Sequence, residues 1–367
     1  MNILNKFRRK KETRHHKGLI IFAGVLLFLV VLRILAPTII KTAANIYLKD
    51  FSPTLTGHID NVDLAILRMR YGVSGIKGSI KGHKHPFVEI KGMEADLPWR
   101  ELLKGKPLAN ILIRDVDFIY TNQLMPAVKK HLSTLKEDGN VPKDKSTTLR
   151  IGRVDVKNSS VRTNLFPSQT REEGIIISKL NIRATNVTPD KNTPITPFSL
   201  NALLLGSGEI KTEGEARLGE GKPEWTADAE ILNFNLTALN RFLKKNVPLT
   251  FTRGKLDLYA EAASRGPVIN GYAKPFIKGV DVIKTNENFK GAKHWLIEVL
   301  TAIANMTLKE DETMATRIPF SYGKTLLINK NEAIAKTIGN GFRQKLDRGV
   351  ENSIGLEKRT RQVQEER

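Results

Sequence analysis

Most of this chain is written in a two-residue alternation of apolar and polar positions. Val62, Leu64 and Ile66 alternate with Asp63 and Ala65, and Tyr71 and Val73 keep the same period. The pattern returns over 112–120, where Val116 and Phe118 stand at alternate positions, and again over 151–156, 160–165, 175–184, 198–205, 208–218 and 225–232. Between 209 and 218 every odd position is charged, opposite Ile210 and Ala216. Trp225, Ala227, Ala229 and Ile231 oppose Thr226, Asp228 and Glu230 in the same way. Leu256, Leu258 and Ala260 alternate with Asp257, Tyr259 and Glu261, and Ser264-Arg265-Gly266-Pro267 turns the chain into a second run from Val268. A period of two predicts strands with one dry and one wet face, and the turn makes the last pair a hairpin. On that reading Leu256 and Leu258 are dry, while Asp257, Glu261 and Lys274 lie on the wet face and rim.

About fifteen strands at ~4.8 Å spacing make a sheet about 70 Å long. That is too large for an open flat sheet with a bare apolar face. The sheet must close on itself, pack on a second sheet, or have its apolar face occupied by something else.

Helical patterns flank and interrupt the strands. The segment 41–51 reads as an amphipathic helix with Ala44, Tyr47 and Leu48 on one side. Short helices are predicted at 98–103, 125–135 and 236–245. After Val282 the apolar spacing becomes helical: Trp295, Val299, Ile303 and Met306 fall four, four and three apart, and Ile334, Ile338, Phe342, Leu346 and Val350 every four. The organisation expected is a basic tail (1–17), a membrane anchor (18–40), a β-domain (41–285), a helical carboxyl-terminal region (286–345) and a charged tail (346–367).

The anchor rests on an uninterrupted apolar run of fifteen residues, Gly18 to Leu32, resumed after Arg33 as far as Ile40. Fifteen helical residues reach about 22 Å and twenty-three about 34 Å, against a hydrocarbon core of roughly 30 Å, so the span includes Arg33. The arginine snorkels outward along its own methylene stem. Seven cations against Glu12 precede the run, which places the amino terminus in the cytoplasm and the rest of the chain outside it. A signal peptide cleaved near Thr42-Ala43-Ala44 is the competing reading, and a buried core helix a third. The formal charge of +21 then faces anionic lipid or acidic surface polymers rather than nucleic acid.

Catalytic chemistry is hard to find. There is no cysteine, which excludes disulfides, thiolate metal sites and cysteine nucleophiles. No nucleophile elbow, HExxH, phosphate loop or dinucleotide fingerprint occurs. His83 and His85 lack a third ligand nearby in sequence. Asp60 with Asp63, and Glu310-Asp311-Glu312, read as solvated surface. Asn186-Val187-Thr188 and Asn235-Leu236-Thr237 match a glycosylation pattern that chance readily produces. The residues point to no enzyme, no metal and no cofactor.

Four stretches resemble one family. They are Pro37 with Asn45 and Tyr47-Leu48; Gly57-His58-Ile59-Asp60-Asn61-Val62-Asp63-Leu64 with Arg70-Tyr71; Asp96-Leu97-Pro98-Trp99-Arg100-Glu101-Leu102-Leu103-Lys104-Gly105; and Gly254-Lys255-Leu256-Asp257-Leu258-Tyr259 through Gly271-Tyr272-Ala273-Lys274-Pro275-Phe276. Together these are similar to the AsmA-like envelope proteins, in particular their short branch anchored in the inner membrane. Trp99, Leu102, Gly254, Asp257, Gly271, Tyr272, Lys274 and Pro275 carry the likeness. It implies a mainly β fold: a curved, taco-like antiparallel groove behind one transmembrane helix, projecting into the periplasm and holding phospholipid. The groove candidates are Val62, Leu64, Ile66, Val116, Phe118, Ile210, Ala229, Ile231, Leu256 and Leu258. The partners implied are inner-membrane lipids, anionic phospholipid or lipopolysaccharide, and other envelope proteins. A non-enzymatic structural or regulatory role through protein contacts is the alternative.

Overall fold

The structure is a computed structural model and describes most of residues 24–137, together with 150–163, 174–188, 195–218, 224–243, 249–284, 313–323, 326–328 and 347–351. It begins with a helix, α1, unbroken over 33–50 and helical at every described position back to 24. Strands β1 (Leu55–His58), β2 (Asn61–Ala65), β3 (Arg70–Ile80) and β4 (Val88–Asp96) follow. Helix α2 (Trp99–Leu103) leads to β5 (Leu108–Tyr120), and α3 (Leu124–Glu137) to β6 (Arg150–Thr163). Strands β7 (Ile175–Thr185), β8 (Thr196–Leu204), β9 (Gly208–Arg217) and β10 (Glu224–Asn235) run on to a 3₁₀ turn (Leu236–Leu239) and α4 (Asn240–Leu243). The chain continues through β11 (Leu249–Arg265), β12 (Val268–Lys284), β13 (Thr313–Ala315), β14 (Ile318–Tyr322) and β15 (Leu326–Ile328).

All fifteen strands belong to one sheet. Thirteen lie in the unbroken order β1-β3-β4-β5-β6-β7-β8-β9-β10-β11-β12-β14-β15, with β2 paired to β3 and β13 to β12. The sheet is curved and unclosed, and at ~4.8 Å per interval its thirteen-strand path runs about 58 Å. The expected all-antiparallel order fails at one place, where β5 and β6 run parallel. Parallel neighbours need a crossover connection rather than a hairpin, and α3 lies in that crossover.

The segment expected to be helical over 286–345 contains β13, β14 and β15 instead. Met314, Ile318 and Phe320 carry a period-two pattern that hydrogen-bonds to β12. The stripes 295–306 and 334–346 lie outside the described residues, and Val350 is not helical. Among the described residues no helix is long and apolar enough to cross a membrane. Residues 18–23 of the expected anchor lie outside them.

Two dry clusters sit at the same end of the strands. Leu55, Ile80, Leu124 and Ala127 pack with Phe51, Phe87 and Phe118 beneath α3. Phe234, Leu236, Leu243, Phe251, Ile277 and Val280 pack beneath the 3₁₀ turn and α4. Asn240 fastens the second cluster, donating to the Phe251 carbonyl and accepting from its N–H, both at 2.8 Å.

A crease crosses the sheet. Gly75 in β3, Asp115 in β5, Asn158 in β6 and Lys179 in β7 all have positive φ, between 50° and 63°. Each stands at a skip in its ladders: Ser74/Ile76, Arg114/Asp117, Val156/Ser159 and Ser178/Asn181. Asn233, Gly254 and Gly279 repeat the device in β10, β11 and β12. Such bulges bend a strand and raise its twist, and they leave backbone groups to satisfy. Side chains along the crease do so. Asn158 Nδ2 donates to Asp115 Oδ1 at 2.5 Å, the Asn158 N–H to Asn181 Oδ1 at 3.1 Å, and Asn181 Nδ2 to the Lys179 carbonyl at 2.9 Å. Ser159 Oγ accepts from the Val116 N–H at 3.1 Å, and Asp257 Oδ1 from that of Asn233 at 2.8 Å.

Asn and Asp tolerate the left-handed region; Lys gains nothing there and costs about 1–2 kcal/mol. The Lys179 side chain is exposed, so little packing depends on it. Lys179→Gly should therefore stabilise the protein, by up to about 1 kcal/mol after the entropy that glycine gains in the unfolded chain is set against the strain. The shift is read as the urea midpoint of the full chain in mild detergent.

Candidate functional site

The register places one side chain per strand in continuous rows across the sheet. From β14 to β8 one row passes through Ile318, Ala273, Ala260, Ala229, Thr212 and Leu200. It continues from β7 to β2 through Ile182, Val156, Ile113, Met93, Val73 and Val62. Apart from Thr212 the row is apolar over twelve strands. A second row beside it on the same face runs from Gly271 and Ala262 through Phe198, Val154 and Ile111 to Tyr71 and Leu64.

The sequence-based groove candidates fall on this face. Leu258, Ile231 and Ile210 are direct neighbours, as are Leu256 and Phe234. Val116 opposes Ile90, and Phe118 opposes Val88. Ile66 lies outside the described residues. In the twelve-strand row only Val62 is fully buried; the other members are half-buried. That state sits between a sandwich core and an exposed patch. Among the described residues, helices pack on the face only at its two ends, as the dry clusters show, and no second sheet covers it.

The opposite face between those two rows is polar. Glu261, Asp228, Glu213, Ser199, Arg183 and Asp155 are successive cross-strand neighbours, and the row continues through Leu112, Glu94 and Gly72 to Asp63 on β2. Ion pairs lace it. Asp155 is held between Arg153 and Arg183, both at 2.8 Å; Arg114 pairs with Glu94, Arg162 with Asp117, and Arg70 with Asp96 at 2.7 Å.

One part of that face departs from expectation. Glu261, Tyr272 and Lys274 are 0 %, 2 % and 3 % exposed, and Tyr259 and Phe276 are buried with them. The wet-face reading of Glu261 and Lys274 is therefore wrong. The register puts three aromatic rings on the same side as those charges, and the carboxyl-terminal segment 347–351 lies over them. The Tyr272 hydroxyl donates to Glu261 Oε1 at 2.5 Å and accepts from the Glu351 N–H at 2.9 Å. Lys274 Nζ reaches the Asp347 carbonyl at 3.3 Å and Glu351 Oε1 at 3.4 Å. Arg317 donates twice to Glu351 and stacks 4.1 Å over the Tyr272 ring. Arg348 pairs with Asp257 at 3.5 Å. Burial, and then the bond to Glu261, push the Tyr272 hydroxyl far above its ordinary pKa. This is a structural clamp, in which every polar group named has a partner. The signal for it was present in the sequence as Tyr259, Tyr272 and Phe276 sharing a face, which a purely solvated surface would not need.

The remaining residues named from sequence have local roles. Gly254 has φ +137°, and a Cβ there would meet Leu236 at 2.9 Å. A Cβ on Gly271 would lie 2.2 Å from the Glu261 carbonyl oxygen. Pro275 stands where the outer neighbour of β12 changes from β14 to β13. Its carbonyl accepts from Thr316 on that side, so the missing N–H falls in the gap. Trp99 is 46 % exposed on α2, with Leu102 half-buried beside it. His83 Nε2 lies 2.8 Å from Gln123 Oε1, and Asn235 accepts from the Thr237 N–H at the start of the 3₁₀ turn. Among the described residues no group of carboxylates and imidazoles is arranged to hold a metal.

Asp228 opposes Glu213 on one side and Glu261 on the other. Desolvation first, then those two charges, raise its pKa. A carboxyl with a raised folded pKa binds more protons folded than unfolded, so its contribution to stability falls as pH rises through that window. Asp228→Asn should stabilise the protein at neutral pH by about 0.2–1 kcal/mol, the scale of a like-charge cross-strand pair. The gain should vanish at acid pH, where both states are protonated. Urea unfolding followed across pH checks both halves.

Neither the protein-family models nor the curated proteins contain a match to this chain.

Proposed function

We propose that this protein is an envelope protein, anchored in the inner membrane through its amino-terminal apolar stretch, whose apolar sheet face binds lipid acyl chains in the periplasm. Its role on this reading is phospholipid transport or maintenance of the outer membrane. One observation carries the reading: a row that is apolar at every position but Thr212 runs over twelve strands, half-buried at all but Val62, with no second layer over its length among the described residues. Half-buried side chains of this kind are neither dry nor fully wetted. Extended hydrocarbon completes such a surface at roughly 0.8 kcal/mol per buried methylene. The resemblance to AsmA-like proteins in the four stretches above points the same way. So do ten of the eighteen large apolar side chains most exposed among the described residues, which fall between Leu27 and Tyr47 on α1.

Photoreactive residues placed singly at Met93, Ile182, Ile231 and Leu258 should form phospholipid adducts in cells. The same residues at Asp63, Arg183 and Glu230, on the other face, should not. Equal labelling of both faces, or none at all, would sink the reading.

A further inference from the structure

We infer that α2 is a second, interfacial membrane contact, seated on the rim of the sheet where α1 departs from it; this rests on the reading of α1 as part of a membrane anchor. Three contacts fix α1 along the first strands. Leu48 lies so close to Gly57 that a Cβ there would meet it at 3.3 Å, Asn45 brackets the Ile59 backbone at 2.8 and 3.0 Å, and Arg33 Nη1 donates to the Leu64 carbonyl at 3.3 Å. From Arg33 to Leu48 the helix rises about 22 Å, and from Gly57 to Leu64 an extended chain covers about 23 Å. The helix therefore lies beside β1 and β2 with opposite direction, and the apolar residues before Arg33 project past the rim that holds Leu64.

That rim also carries α2. Ala65 pairs with Arg70 and Arg70 with Asp96, and the Leu97 N–H donates to the Met69 carbonyl at 2.9 Å. Two residues later α2 begins, two strands away from α1. It is five residues long and buries none of them, although helices this short draw their stability from packing. Trp99 and Leu103, one turn apart, are 46 % and 81 % exposed. Arg100 and Lys104 flank them, also exposed, and Arg68 stands exposed in the adjoining turn. Lys104 is paired with Glu101 at 3.0 Å.

An indole and an isobutyl group beside cations are the composition of a surface that seats at the headgroup boundary of a bilayer. Arg68, Arg100 and Arg33 supply the complement to anionic headgroups, and α1 supplies the continuity with the membrane. A protein partner would satisfy the apolar pair but gives no reason for its place on the rim beside α1. The contact holds the strand ends of β2 to β5 against the leaflet, which is where the apolar rows would take up a chain.

The chain has no cysteine, so a single spin label can be placed without other changes. The full chain carrying Leu103→Cys, spin-labelled, is reconstituted in vesicles of phosphatidylcholine and phosphatidylglycerol, with Glu209→Cys on the opposite rim as the water-exposed control. Leu103 is so exposed that its replacement leaves the fold undisturbed. The label at 103 should lose access to a water-soluble nickel chelate and gain access to oxygen, and the label at 209 should remain open to the chelate. Equal chelate access at 103 and 209 overturns the contact, including the case in which α2 is reserved for a protein partner. Lipid crosslinking at Ile182 in the same vesicles reads the groove separately. Protection at 103 without adducts at Ile182 keeps the contact and fails the groove; adducts without protection do the reverse.

Discussion

The bulges that crease the sheet are what the rest of the molecule depends on. A sheet of this many strands, left flat, would expose a broad apolar face or stack on another copy. Residues with positive φ in β3, β5, β6, β7, β10, β11 and β12 bend it instead. The bend interrupts ladders, and Asn158, Asn181, Ser159 and Asp257 replace the lost bonds with side-chain ones. Curvature is thus written into glycines and polar residues, while the apolar face is written into aliphatic ones. That separation lets the apolar rows run unbent alongside the crease, on one side of it, from β12 to β2.

Alternation showed where strands lie and which side of most of them is dry, because period two is a direct consequence of pleating. Ile210, Ile231, Leu258, Val116 and Phe118 were legible for that reason. The crease was not. Asn158 and Asn181 look like ordinary polar positions, and only the register shows that they sit at ladder skips. The parallel pairing of β5 and β6 was also hidden, since the sequence of a strand does not name its neighbour. Strands β13 to β15 are three to five residues long, too short for a period to outweigh the helical spacing on either side.

The clamp on β11 and β12 shows where a two-letter pattern misleads. Glu261 and Lys274 are charged and alternate with Leu258, Ala260 and Pro275, so a binary code puts them in water. Tyr259, Tyr272 and Phe276 share their face and are large enough to recruit a covering segment. Once 347–351 lies there, the charges are enclosed and must be matched, and Glu351, Arg317 and the Tyr272 hydroxyl match them. Loss of one partner in such a site exposes another to desolvation. The two faces of the same hairpin thus do opposite things: the polar-looking one is closed, and the aliphatic one stays half-open.

The first edge of the sheet is closed by the same economy of polar groups. Between β1 and β2 the ladder to β3 breaks at Ile59, whose N–H and carbonyl would otherwise need water. The Asn45 amide takes both, acting as one rung of a strand supplied by a helix. An edge covered in this way cannot template another chain, and it does more than protect. Because the rung fixes α1 in register, and Arg33 repeats the constraint at the far rim, the helix cannot swing independently of the sheet. Any orientation imposed on the part of α1 before Arg33 is passed to β2 and β3 directly. The apolar rows start on those strands, at Val62 and Leu64, so this end of the half-buried face and α1 are one rigid unit.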